Sequence, residues 1–266
     1  MNSMKNKFSF DHVIIVVENL NTAIDDFTAL GFGVVPGGVH IGNSTHNALI
    51  PFQDGTYIEL LAPTSNSFRT MQPVKDGTPQ MPYYLARMVG DGEGLAGFAL
   101  WVYGIEQTVD DAAARGIAMS GPSEGGRQRH DGVDLLWKVA IPDAPGLPFF
   151  IEDMTNRALR VPAPAQHANG VTGMGGVTIA TPDMRGRSAL FHDLLGEEAI
   201  TTYDSHISDQ PFDLFGVRLG TIVIVPDAEV HGLRPSRLTL KARHMRGTRV
   251  LDESKSHGAK IVLIGE

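Results

Sequence analysis

The chain contains no cysteine. That removes disulfides, iron–sulfur clusters and thiolate zinc sites, makes a cytoplasmic location the expectation, and leaves His, Asp and Glu as the side chains for any protein-bound metal. It also lacks an apolar run of the roughly 18–20 residues that a membrane helix needs. Positions 1–9 carry lysines but no apolar core, so no secretory signal is expected. Positive charge is scarce, with 22 Lys and Arg against 30 Asp and Glu, a net charge of −8. Neither nucleic acid nor a membrane is therefore expected as a partner. Several reactive motifs are missing as well: no Walker-type phosphate loop, no Gly-x-Ser-x-Gly elbow and no His-Glu-x-x-His pair occurs. The glycine-rich stretch at 170–176 precedes a strand instead of opening a helix, the wrong context for a dinucleotide loop.

What the chain does have is repetition. A strand, a helix and a closing glycine recur four times, the last copy being the weakest. Aligned on their strands, His12, Gly97, Gly176 and Leu238 stand at one place, and Gly31, Gly116, Gly196 and Gly258 close the units at near-constant spacing. One such unit cannot bury its apolar face alone, which is why it repeats. Only the first copy carries a histidine at the shared place.

After its helix, expected to start behind Asn21 and stop at Gly31, the first unit continues as three β-rich runs at 33–41, 46–52 and 57–61, bounded by Gly, Asn and Asp. Residues 8–62 thus read βαβββ. The second unit, 92–153, repeats the pattern with strands near 117–119, 135–141 and 148–152 and longer hairpin loops at 121–132 and 142–146. Residues 157–170 are dense in Pro and Ala without periodicity and read as an extended linker. Beyond it, 171–226 reads strand, helix, strand, strand, and 236–266 strand, helix, strand, with the helix ending near His257 and Gly258. The fold class expected is α+β.

Alternation along the first strand puts His12 with Phe10, Ile14 and Val16, and Asp11 with Val13 and Ile15. His12 is a core histidine bonded to a backbone carbonyl, or a ligand. Glu59, inside the apolar run 57–61, needs a metal, an arginine or a proton if buried; otherwise it faces out at a sheet edge. Glu152 ends a similar run, 149–152, in the second unit. His46 opens the third strand of the first unit as a ligand, a general base, a substrate contact or a solvated loop residue. Arg127, Arg129 and His130 form a cationic loop suited to an anionic substrate or simply a solvated tip. Tyr83, Tyr84 and Trp137 line a pocket or fill core.

A βαβββ unit with Asp11-His12-Val13, the run 44–50 (Ser-Thr-His-Asn-Ala-Leu-Ile) and the run 57–61 (Tyr-Ile-Glu-Leu-Leu) resembles the glyoxalase-like branch of the vicinal oxygen chelate superfamily. The resemblance is closest over 8–62, looser over 92–153 and only topological after 171. It implies paired modules in a curved, cup-shaped mixed sheet with flanking helices. In the metal enzymes of that family the ligands come from the first and last strands of each module. Carried over, those places are His12, Glu59, Gly97 and Glu152. Gly97 supplies no donor, so His12, Glu59 and Glu152 are left to hold a divalent cation, Zn, Mn, Fe, Co or Ni, with Glu152 as the proton-moving base and His46 as a further catalytic or substrate contact. Tyr83, Arg127, Arg129 and Trp137 complete the expected substrate site.

Three functions follow from the resemblance. One is a lyase or isomerase that chelates a small oxygenated metabolite through the metal. The second is a metal-free binding or sequestration protein of the bleomycin-resistance type. The third is a ring-cleaving dioxygenase. The second half, with Gly176 and Leu238 at the histidine place, is expected to be silent and to extend or cover the first sheet, with a homodimer contact at its open edge.

Overall fold

The structure, a computed structural model, describes residues 7–42, 44–64, 92–129, 131–144, 146–196, 212–229 and 234–266. The first module is β1 (Ser9–Val16), α1 (Leu20–Ala29), β2 (Val35–His40), β3 (Thr45–Pro51) and β4 (Tyr57–Pro63); the second is β5 (Gly94–Trp101), α2 (Ile105–Ala114), β6 (Met119–Arg129), β7 (Asp134–Pro142) and β8 (Phe149–Asp153). β1 is buried along its whole length. α1 starts two residues earlier than the sequence suggests, because Asn19 and not Asn21 accepts the Thr22 N–H, and it ends at Gly31, whose φ of +89° favours glycine. Strand β6 runs through most of the span expected to be a hairpin loop.

The expected cup closes completely. The eight strands form a barrel in the order β1-β4-β3-β2-β6-β7-β8-β5, with β1 antiparallel to β5 and β2 antiparallel to β6. The register reproduces the repeat read from the sequence. Ile14 pairs with Gly97 and His12 with Ala99, so exchanging His12 for Gly97 and Ile14 for Ala99 returns the same ladder.

The ladder between β1 and β5 is interrupted between Phe10 and His12, where Asp11 is the extra residue. Such a bulge leaves one residue unpaired and turns the chain locally. Its effect corrects the expected alternation. Ile14 and Val16 do pack inside the barrel with Phe149 and Ile151, whereas Phe10 packs in the outer core with Val13 and Ile15 and stacks on Phe98 at 5.4 Å. Asp11 instead joins His12, to which it is hydrogen-bonded.

Residues 157–170 are not a free spacer. They carry α3 (Arg157–Arg160), and the stretch behind it is tied to the first module by Ala165 N–H to Pro51 O, His167 to Gly33 N–H and Pro51 O, and Asn169 to Leu30 O.

The second half forms a six-stranded sheet from β9 (Val171–Thr181), α4 (Met184–Leu195), β10 (Asp213–Val217), β11 (Gly220–Pro226), β12 (Arg237–Ala242), β13 (Thr248–Val250) and β14 (Ile261–Gly265), in the order β10-β11-β9-β12-β14-β13. Its central pairings, β9 parallel to β11, β9 antiparallel to β12 and β12 parallel to β14, repeat those of β1, β4, β5 and β8 in the barrel. The helix expected before Gly258 is a set of turns over 253–258, and β13, absent from the sequence reading, precedes it. Asp252 and Ser256 explain the difference, since the Asp252 carboxylate accepts the Ser254 N–H and the Ser256 hydroxyl donates to the carbonyls of Asp252 and Ala259, in competition with the helix.

Candidate functional site

Inside the barrel a chain of polar side chains crosses from β1 to β6. The ring of His12, 3% exposed, lies on Tyr57 (centroids 4.7 Å apart) and meets Phe149 edge-on at 5.5 Å. Its Nδ1 is 2.7 Å from Asp11 Oδ2 and its Nε2 is 3.4 Å from Glu59 Oε2. Glu59 Oε1 accepts a hydrogen bond from Asn47 Nδ2 at 2.6 Å, and the same amide reaches His40 Nε2 at 3.5 Å. Asn47 Oδ1 in turn accepts from Arg127 Nη1 at 3.2 Å. Behind Asp11 stands α3: Arg160 donates to Asp11 Oδ2 at 2.9 Å, to Tyr57 Oη at 2.7 Å and to Asp153, and Arg157 pairs with Asp11 as well.

These contacts decide the charges. Burial pushes the Asp11 carboxyl up, but Arg160, the His12 hydrogen bond and Arg157 outweigh it and hold it well below the usual range. Because Asp11 is ionised, Nδ1 of His12 carries the proton it donates. Burial pulls His12 down, yet its hydrogen bonds to Asp11 and Glu59 raise it above the usual histidine value. Burial would raise Glu59; the His12 hydrogen bond and charge lower it to about 2. His40 is lowered by burial, only partly offset by Glu59, so it is neutral at pH 7.

Of the residues the sequence singles out, the structure brings together His12, Glu59, Arg127 and Trp137, whose indole meets His40 edge-on at 6.1 Å. It does not bring Glu152 to them. Glu152 lies beside Phe150 on the helix side of β8, and its two oxygens accept the N–H groups of Gly104 and Ile105 at 2.7 and 3.0 Å, capping α2, whose own N-cap glycine has no side chain to do so. Nor does Glu152 match Glu59. Glu59 stands beside Ile14, and beside Ala99, the counterpart of Ile14, stands Phe149. His46 precedes Asn47 on β3 and takes the opposite face by alternation. Arg129 pairs with Asp131 and the Leu159 carbonyl at the barrel's edge. Tyr83, Tyr84 and His130 lie outside the described residues. Sequence reasoning missed Asp11, Asn47, His40, Arg157 and Arg160. His40 stands between Val39 and Ile41 and Asn47 heads the apolar run 48–50, a signal that was available.

A family model described as a glyoxalase-like domain matches residues 10–195, most of both modules and the start of the second sheet. The chain belongs to the glyoxalase-like family. A search of curated protein sequences gives no match. Among solved structures, a hypothetical protein from Staphylococcus aureus aligns with TM-score 0.77 at 14% identity, covering 97% of this chain and 100% of its own. A mutant of 4-hydroxymandelate synthase from Streptomyces coelicolor aligns with TM-score 0.57 at 11% identity, covering 98% of this chain and 93% of the synthase. At these identities the likeness is one of fold.

Divalent metals are common in the superfamily, and the donor set of this glyoxalase-like protein can be tested against one. The four places are His12, Glu59, Gly97 and, by register, Phe149. Two donors remain, both from one module, and among the described residues no three His, Asp or Glu side chains are grouped to hold an ion. Three or more protein ligands are usual for a retained divalent ion of this class. The residues present do not fit one.

Proposed function

We propose that the barrel of the first half takes a small oxygenated metabolite and moves a proton on it, a lyase or isomerase type of reaction, with His12 and Glu59 as the proton-carrying pair. The observation that carries this reading is the 3.4 Å approach of His12 Nε2 to Glu59 Oε2 inside a closed barrel, with Nδ1 fixed by Asp11. Two titratable groups whose surroundings push their pKa values apart are the usual mark of an acid and a base. Glu59, ionised, removes the proton from the carbon beside the oxygen function. His12 Nε2–H donates to that oxygen as its negative charge grows. Once the His12 hydrogen bond passes to the substrate, its hold on Glu59 weakens and the carboxylate becomes a stronger base. Asp11 and Glu59 favour the doubly protonated ring, and the Nδ1–H bond to Asp11 orients it so that Nε2–H faces the substrate. Delivery of the proton to the other face or the neighbouring carbon completes an isomerisation.

Of the four ligand places that the family resemblance implies for a zinc, manganese, iron, cobalt or nickel ion, only His12 and Glu59 carry donors, and no step is routed through one. Elemental analysis of untagged protein is expected to find less than one equivalent. The second reading, binding without turnover, is favoured by one observation: every carboxylate in the barrel already has a partner. Solvent deuterium entering a bound 2-hydroxy compound, followed by NMR, separates the two. Exchange that disappears in Glu59→Gln and His12→Gln supports proton transfer; binding with no exchange in the wild type leaves the binding reading. A cytoplasmic homodimer paired through β10 or β13, the edges among the described strands, completes the proposal, and light scattering at the size of a monomer removes the dimer.

A further inference from the structure

Arg127 sits in the barrel 4% exposed. Its Nη1 donates to the amide oxygen of Asn47 and its Nη2 to the carbonyl of Arg160 at 2.9 Å, both uncharged acceptors. Among the described residues no Asp or Glu oxygen lies within ion-pair distance of it. The other charges of the barrel are matched. Arg157 and Arg160 face Asp11 and Asp153, and His12 faces Glu59. Among the described residues Arg127 is the remaining cation: Glu59, on the far side of Asn47, acts on it only at longer range, and a buried charge without a contacting counter-charge is costly enough to be a functional signal. Room for it is built into the chain. A Cβ on Gly37 would fall 1.9 Å from Asn47 Oδ1 and 2.6 Å from Arg127 Nη1, so glycine at 37 is what lets the guanidinium and the amide occupy this position.

We propose that Arg127 is the seat of a carboxylate on the ligand, and that the ligand is a small monocarboxylate with oxygen on the carbon next to the carboxylate. This rests on the proton-transfer reading for the second half of the statement only. Asn47 joins the two ends: its oxygen holds Arg127 and its nitrogen holds Glu59. A carboxylate on Arg127 therefore lies about one amide width from Glu59, which aims the neighbouring carbon at the His12–Glu59 pair. A planar guanidinium suits a carboxylate fork, and a surplus of one positive charge favours a monoanion over a phosphate dianion.

The test uses the full chain with glycolate and lactate, their neutral amides glycolamide and lactamide, and inorganic phosphate, read by thermal shift and calorimetric titration. A ligand that binds the native state raises the melting temperature in proportion to ln(1 + [L]/Kd). The expected result is stabilisation by an acid and not by its amide, with affinity lowered at least about tenfold in Arg127→Met and partly kept in Arg127→Lys, because a charged hydrogen bond is lost in the first and a point charge remains in the second. Equal binding of acid and amide, tighter binding of phosphate, unchanged binding by Arg127→Met, or no binding of either acid at millimolar concentration overturns it. If Arg127→Met does not fold, the acid–amide comparison on the wild type decides alone. Failure of the two readings is distinguishable. Acid binding through Arg127 without deuterium exchange keeps the carboxylate seat and removes proton transfer; exchange on an amide without acid binding does the reverse.

Discussion

Asp11 is the residue on which the barrel's polar side turns, since it meets His12, Arg157 and Arg160 at once. Replacing it by asparagine keeps the shape and removes the charge, leaving Arg160 buried against one carboxylate instead of two. We expect Asp11→Asn to destabilise the protein by about 3–5 kcal/mol, the scale for a broken buried pair, read as a lower urea midpoint. A second prediction concerns pH. His12 is raised in the folded state, so its contribution to stability is fully present below about 6.5, its unfolded value, and is lost as pH rises through the folded value. Glu59 is lowered to about 2, so its contribution is present above about 4.3 and is lost as pH falls through 2. His40 and His167, lowered by burial, work against His12 near neutrality by making stability rise with pH there. The wild type alone will therefore vary little around pH 7. The difference in unfolding free energy between wild type and His12→Gln is expected to be largest between pH 5 and 6 (roughly, from those reference values) and to shrink above neutrality. A pH-independent difference would assign His12 a packing role only.

At the scale of elements, the helix cap gives the sharpest prediction. Glu152→Ala is expected to cost about 0.5–2 kcal/mol, as loss of an N-cap does, while leaving ligand binding unchanged; a loss of binding with normal stability would return Glu152 to the site. The modules themselves were legible because strand–helix–glycine spacing is a property of buried apolar faces, which any sequence must write down. The convergence of His12 and Glu59 was legible for the same reason, both being polar residues within apolar strands. Glu152 misled because a carboxylate at the end of an apolar strand looks the same whether it turns inward or reaches a neighbouring helix; only the three-dimensional position of Gly104 tells them apart. Arg157 and Arg160 follow the second module in a stretch without periodicity, and their partner Asp11 is nearly 150 residues away in sequence. A tertiary ion pair of that reach leaves no local pattern. The closure between β2 and β6 was likewise invisible, since it joins two modules and belongs to neither.

For the molecule as a whole, the two sheets are not independent bodies. One continuous hydrophobic core contains Phe10, Phe98 and Phe150 from the barrel and Met174, Ile222 and Leu240 from the second sheet. Polar ties cross the same boundary: Asp54 accepts the Met174 N–H at 2.8 Å, Phe10 N–H donates to Arg218 O at 2.8 Å, and Lys255 pairs with Asp26 at 2.6 Å. Calorimetry is expected to give a single unfolding transition whose van't Hoff and calorimetric enthalpies agree; two resolved transitions would make the halves separate folding units. The extra residue at position 11 has a part in this union. It gives β1 a change of phase: before it, Phe10 is turned outward to within reach of Gly220, where a Cβ would come 2.9 Å from the phenyl ring, and after it the strand counts inward from His12. Deleting Asp11 would set Phe10 directly before His12 in an uninterrupted alternation, Phe10 still outward on the seam between the halves and His12 still inward, while taking from His12, Arg157 and Arg160 the one carboxylate that they share.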